Sequence, residues 1–169
     1  LGDDFSVSSP LAYLGAPRLM AMAARRGART DPVPIALIAE NGGLSIRTRP
    51  EARRAYWFRD LARCAAHLGM PLQLEGRPPL QDAAMASPML VAAQRLGFDV
   101  TALGFALQRG YWTQARDISD PATRAAIADE SGFDATALLA AEAAPETEQQ
   151  WQTNLARAQA AGVFGVPAY

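Results

Sequence analysis

The sequence predicts an α/β fold, in which a short βαβ unit at the N-terminal end is followed by a large, all-helical insertion at about 50–160. Two patterns carry this prediction. Near the start, a β-like stretch, an apolar helical segment and a nearly unbroken apolar run follow one another closely. Between residues 88 and 161 the chain turns into alanine-rich segments with helical spacing and no strand-like alternation. Together they describe one domain spanning 1–169, a length sufficient for one well-buried core.

The first element is a strand around Phe5 to Val7. After Pro10, residues Leu11, Leu14, Leu19, Met20 and Met22 predict a helix ending near Gly27, with Pro17 starting a new turn or kinking it. The run "VPIALIAE" at 33–40, between Asp31-Pro32 and Asn41-Gly42-Gly43, suits a strand buried on both faces of a parallel sheet. Strand, helix and strand make a βαβ unit. In "RPEARRAYWFRDLARCAAHLG" Pro50 opens a helix, Gly69 closes it, and Trp57, Leu61, Cys64 and Leu68 form one stripe. Pro71, Pro78 and Pro79 mark a loop. Helices follow at about 88–96, 99–113, 121–131, 134–143 and 146–161; that at 121 has its cap at Ser119 or Asp120, Pro121 in its first turn and Gly132 past its end. The last stretch, "AGVFGVPAY", reads as a loop entering a strand.

Composition closes off several kinds of chemistry. With a net charge of −1 there is no broad positive field for nucleic acid. No stretch approaches the roughly 20 apolar residues of a membrane span, and Gly2-Asp3-Asp4 stands where a secretory signal would be basic and apolar, so a cytoplasmic location is expected. All 16 basic residues are arginine, which excludes a Schiff-base lysine, a P-loop lysine and a serine–lysine dyad. The single cysteine, Cys64, excludes an internal disulfide or dithiol pair. With His67 the only histidine, a metal cluster of imidazoles and thiolates is excluded too, and no metal site is expected. Cys64 on an apolar stripe reads as an inert thiol, and His67 near a helix C-terminus as a complement to the dipole.

Two junctions are candidates for function. Ser8-Ser9-Pro10 lies where a strand hands over to a helix, so the Ser9 hydroxyl meets the first free amides of that helix. It is either an N-cap, or part of a site that holds an anion at the positive end of the dipole. Val166-Pro167 is either a trans proline at the start of a strand or a cis turn.

"SPLAYL" at 9–14, "RPEARRAYWFRDLARCAAHLGMP" at 49–71, "RGYWTQARDISDP" at 109–121 and "GVFGVP" at 162–167 cover nearly the whole chain. In order and spacing they resemble the 2-hydroxychromene-2-carboxylate isomerases and kappa-class glutathione transferases, which share a thioredoxin-like architecture with bacterial disulfide-bond oxidoreductases. The resemblance implies a thioredoxin-like fold in which Ser9 and Ala12 occupy the two cysteine positions of the redox relatives. Glutathione then supplies the sulfur, Ser9 stabilises its thiolate, and Ser9, Pro10, Val166, Pro167 and Arg49 bind it. The backbone of Val166 pairs with its cysteinyl part as an added strand. Arg47 and Tyr13 are candidates for a small aromatic carboxylate substrate; for Arg47 and Arg49 a solvated loop arginine is at least as good a reading, and for Tyr13 core packing is the safer one.

The sequence departs from the family's pattern twice. Ser6 stands where relatives often carry aspartate, and the family's C-terminal β-hairpin and helix have no counterpart in these 169 residues. The implied function is glutathione-dependent isomerisation of a 2-hydroxychromene-2-carboxylate-like substrate. A kappa-like transferase and a non-catalytic thioredoxin-fold binding domain are the alternatives, and a homodimer is expected from the family.

Overall fold

The computed structural model describes residues 2–79 and 86–169. The part of the predicted helical insertion at 80–85 lies outside the described residues. Strand β1 (Gly2–Phe5) leads into helix α1 (Pro10–Arg26), which returns to strand β2 (Asp31–Pro34) lying parallel to β1, with Gly2 opposite Asp31 and Phe5 opposite Pro34. The βαβ unit is therefore present, but both strands end earlier than the sequence suggests. Val33, Ile35 and Ile38 are buried as expected of the apolar run. Only its start is strand, because β1 ends at Phe5, whose carbonyl takes a last hydrogen bond from the Ile35 N–H (2.9 Å). Beyond that point the chain turns through two short 3-10 segments, Ala39–Asn41 and Ile46–Thr48. A third segment joins the sheet as an isolated antiparallel bridge, where Ala168 and Asp4 exchange both backbone bonds (2.9 and 3.0 Å).

Helices α2 (Glu51–Leu68), α3 (Ser87–Leu96), α4 (Val100–Gln114), α5 (Pro121–Glu130), α6 (Ala135–Glu142) and α7 (Pro145–Ala160) follow, each close to its predicted span. Their boundaries have local causes. Ser9, Asp99, Asp120 and Asp134 each accept a backbone N–H in the first turn of the helix they cap, and Gly27, Gly69 and Gly97 end α1, α2 and α3 in the left-handed conformation. Helix α1 includes Pro17 and ends at Arg26, before Gly27 as expected. The stripe on α2 is shorter than predicted: Leu61 is buried, Trp57 and Cys64 are partly buried, and Leu68 is exposed.

Helix α3 is the centre of the core. Met89, Leu90, Val91, Ala92 and Ala93 are wholly buried, and α3 packs against α4, α6, α7 and β2. The adjacent small residues Ala92 and Ala93 point to different sides of the helix and let its neighbours approach closely. Helix α4 also comes close to β1: a Cβ at Gly104 would lie 2.8 Å from the Phe5 ring. That approach brings the C-terminal half of α4 under the loop between β1 and α1.

Candidate functional site

The loop from Ser6 to Ser9 is shaped by groups on both sides of it. From α4, Gln108 Nε2 donates to the Ser6 carbonyl (3.2 Å) and Trp112 Nε1 to the Val7 carbonyl (3.0 Å). Four residues apart, these two side chains share one helix face, so α4 satisfies successive carbonyls that no strand partner reaches. Within the loop the Ser6 and Ser8 hydroxyls are 2.8 Å apart, and the Ser9 N–H donates to the Ser6 carbonyl (3.2 Å). The Ser9 hydroxyl then does two things. Its oxygen accepts the Ala12 N–H (3.2 Å), capping α1, and its proton is directed at the Val166 carbonyl (3.2 Å).

Val166 is held against this loop by its own neighbours. Past α7, the Val163 N–H bonds back to Ala158, Asn41 Nδ2 donates to the carbonyls of Gln159 (2.9 Å) and Val163 (2.8 Å), and Ala168 pairs with Asp4. The Val166–Pro167 bond is cis. Among the described residues, the Val166 N–H has no acceptor.

A cleft of about 950 Å³ opens in front of these groups, large enough for a tripeptide and a small aromatic molecule. Ser6, Ser8 and Ser9 form its floor, and the segment 163–168 forms one wall. Residues from Leu37 to Arg49 form a second wall, and Trp57, Phe58, Leu74 and Arg77 with Tyr111 and Trp112 a third. Its charge has one sign: Arg47, Arg49 and Arg77 line it, and no aspartate or glutamate does among the described residues. The N-terminus of α1 adds the positive end of a helix dipole. Arg49 Nε is buried without a hydrogen-bond partner, while its Nη2 reaches the Leu44 carbonyl at 3.5 Å.

Arg77 lies over two rings, 4.1 Å from the centre of Trp112 and 5.1 Å from that of Tyr111, and its Nη2 donates to the Leu74 carbonyl (3.1 Å). Burial lowers its pKa, opposed by the neighbouring Tyr111, whose own pKa burial raises. Behind the 163–168 wall, Asp3 is pushed up to about 6, first by burial and then by the charge of Asp4. It lines a small void with Pro167 and Tyr169.

Of the residues singled out from sequence, Ser9, Val166, Pro167, Arg47 and Arg49 come together around the cleft. Two do not. Pro10 is buried in the first turn of α1, where its fixed φ suits a helix start, and it does not line the cleft. Tyr13, one turn further along that inward face, is buried against Phe105 (ring centres 5.8 Å apart) and donates its hydroxyl to the Pro71 carbonyl (3.0 Å). The core reading of Tyr13 is therefore the correct one. Sequence reasoning singled out none of Gln108, Trp112 and Arg77. The four-residue spacing of Gln108 and Trp112 was a usable signal, whereas nothing local distinguishes Arg77.

These features invite comparison with known proteins. None of the curated proteins matches the chain. Among solved structures, it is similar to a 2-hydroxychromene-2-carboxylate isomerase, at 21% identity over 98% of this chain and 82% of that one, with a TM-score of 0.81. It is also similar to the cytosolic disulfide reductase DsbM from Pseudomonas aeruginosa, at 18% identity over 98% and 81%, TM-score 0.74. The structure of that reductase with GSH matches at 18% over 98% and 82%, TM-score 0.72. Identities this low establish a shared fold and leave activity open. A family model, the DSBA-like thioredoxin domain, matches residues 5–169, taking in the Ser9 junction, the helices and the Val166-Pro167 segment alike. By that match and by its thioredoxin-like architecture, the chain belongs to the DSBA-like thioredoxin domain family.

Proposed function

We propose that this cleft binds glutathione and that the protein is a glutathione-dependent isomerase of a 2-hydroxychromene-2-carboxylate-like aromatic substrate. The observation that carries the reading is the Ser9 hydroxyl, which caps α1 and meets the Val166 carbonyl at 3.2 Å in a cleft lined by cations alone among its charged described residues. The residues present suit an anionic thiol peptide. A backbone edge at Val166 lacks an acceptor for its N–H, and a buried, unpartnered Nε on Arg49 suits a carboxylate. When bound, glutathione supplies a sulfur nucleophile that adds reversibly to a conjugated substrate, leaves a single bond about which it can rotate, and departs unchanged.

Ser9 redirects its hydroxyl proton from the Val166 carbonyl to the sulfur anion, keeping the Ala12 N–H on its oxygen. Freed of Ser9, the Val166 carbonyl joins its N–H to offer an extended peptide one acceptor and one donor. The free amides of the first turn of α1 favour the anion further. Arg49 holds a glutathione carboxylate, and Arg47, at the mouth, attracts anions to the cleft. With alanine in place of the second redox cysteine and only Cys64 in the chain, dithiol exchange within the chain is excluded. The similarity to a reductase structure solved with GSH supports the cofactor, and that to an isomerase supports the reaction class.

Calorimetric titration with glutathione tests the reading. Wild-type protein is expected to bind, and Ser9→Ala to bind about tenfold more weakly, consistent with losing one charge-assisted hydrogen bond. In Ser9→Ala the pKa of the bound thiol, read from thiolate absorbance, rises toward about 8.5. Mass spectrometry of a reaction with the chromene carboxylate then separates isomerase from transferase: recovered, unmodified glutathione supports the former, and sulfur retained in the product identifies the latter. Absence of glutathione binding overturns the enzyme reading in favour of a binding domain.

A further inference from the structure

We propose that Arg77 is the specificity-determining residue of this cleft, binding the carboxylate of the aromatic substrate while glutathione takes the Ser9–Val166 side. The assignment rests on the functional reading above for the identity of the second ligand, but its own support is independent. Among the described residues, the buried or half-buried Arg54, Arg116 and Arg124 pair with Glu51, Glu130 and Glu142, whereas Arg49, on the glutathione side, and Arg77 have no acid. The Arg77 Nε is buried and without an acceptor. A permanently charged guanidinium partly withdrawn from water needs compensation. Two aromatic faces and one carbonyl supply part of it. An anion arriving from the cleft supplies the rest.

Position decides which anion. Trp112 uses its ring N–H on the Val7 carbonyl, next to Ser8 and Ser9, and its ring face under Arg77. Arg77 thus stands across one indole from the loop that carries Ser9. Val166, by contrast, meets Ser9 directly. A substrate whose reacting carbon lies at the sulfur beside Ser9 reaches Arg77 with a carboxylate on the far side of a planar, conjugated frame. Arg47, the sequence-based candidate for this role, is exposed, whereas Arg77 is half-buried. Arg77 itself is fixed in orientation by its stack, which is what selecting a planar carboxylate requires.

Tryptophan fluorescence of the full chain, without glutathione, reads binding next to Trp112. The probes are 2-hydroxycinnamate, a planar aryl carboxylate, and its primary amide. Wild-type protein is expected to prefer the acid about tenfold, and Arg77→Gln to lose that preference. Arg77→Met, which keeps an apolar cover over Trp112, loses it too and serves where the Gln variant fails to fold. Both variants keep wild-type glutathione affinity by calorimetry. A preference for the acid retained in either variant, or absent from the wild type, overturns the proposal. So does loss of glutathione affinity with acid binding intact, which assigns Arg77 to the cofactor. A wild type that prefers the acid yet binds no glutathione leaves Arg77 in place and overturns the cofactor reading alone.

Discussion

At the scale of single residues, the Ser9 oxygen caps α1, the first of its two readings in the sequence, and the same hydroxyl reaches the Val166 carbonyl. The cap anchors the oxygen at a helix N-terminus, which is where the proposed thiolate would meet it. Asp3 shows the opposite relation between burial and charge. Its carboxyl, only 7% exposed and beside Asp4, is held up to about 6 against 3.8 for an ordinary aspartate. The folded state therefore binds the proton more tightly than the unfolded state does. Stability from this group is present in full below about pH 4 and falls as the pH rises through about 6, by roughly 3 kcal/mol. Asp3→Asn is expected to remove that loss: urea midpoints of variant and wild type lie closer together near pH 4 than near pH 8, where the variant is the more stable. An equal gap at both pH values contradicts this account.

At the scale of elements, the helices follow their end signals closely while the strands do not. Aspartate or serine at the start and glycine past the end act within a few residues, so α4 begins after Asp99 and α3 stops before Gly97. Helix α4 ends differently, on Ala115, a non-glycine residue in the left-handed region at φ 52°, whose N–H still closes on the Gly110 carbonyl. A Cβ in that conformation costs about 1 kcal/mol. Ala115→Gly relieves it, and thermal melting is expected to shift upward by roughly 2–4 °C, with no change in glutathione binding because Ala115 is outside the cleft lining. A lower melting temperature would mean that added backbone entropy of the unfolded chain outweighs the relief.

At the scale of the whole molecule, the cleft is assembled from stretches far apart in sequence, held on a helical core centred on α3. Asn41 fastens two of its walls, with one amide group on the carbonyls of Gln159 and Val163. Asn41→Asp sets carboxylate oxygens against both carbonyls, a local cost of roughly 2 kcal/mol. Hydrogen exchange is expected to quicken at Val163 and Ala168, whose N–H groups bond to Ala158 and Asp4, and glutathione to bind more weakly, with protection in α3 and α4 unchanged; uniform loss of protection would show that Asn41 supports the fold as a whole.

By itself the sequence determined what depends on neighbours along the chain: the helices and their caps, the βαβ order, the burial of Val33, Ile35 and Ile38, and the two junctions at Ser9 and Val166. It also excluded dithiol and lysine chemistry outright, because those residues are missing. Only the tertiary structure decided where the strands stop, since a strand lasts only as long as its partner. It likewise turned Pro10 and Tyr13 inward and raised Asp3. The same packing set Arg77 on Trp112, a contact between the α2–α3 connection and α4 that no local pattern encodes.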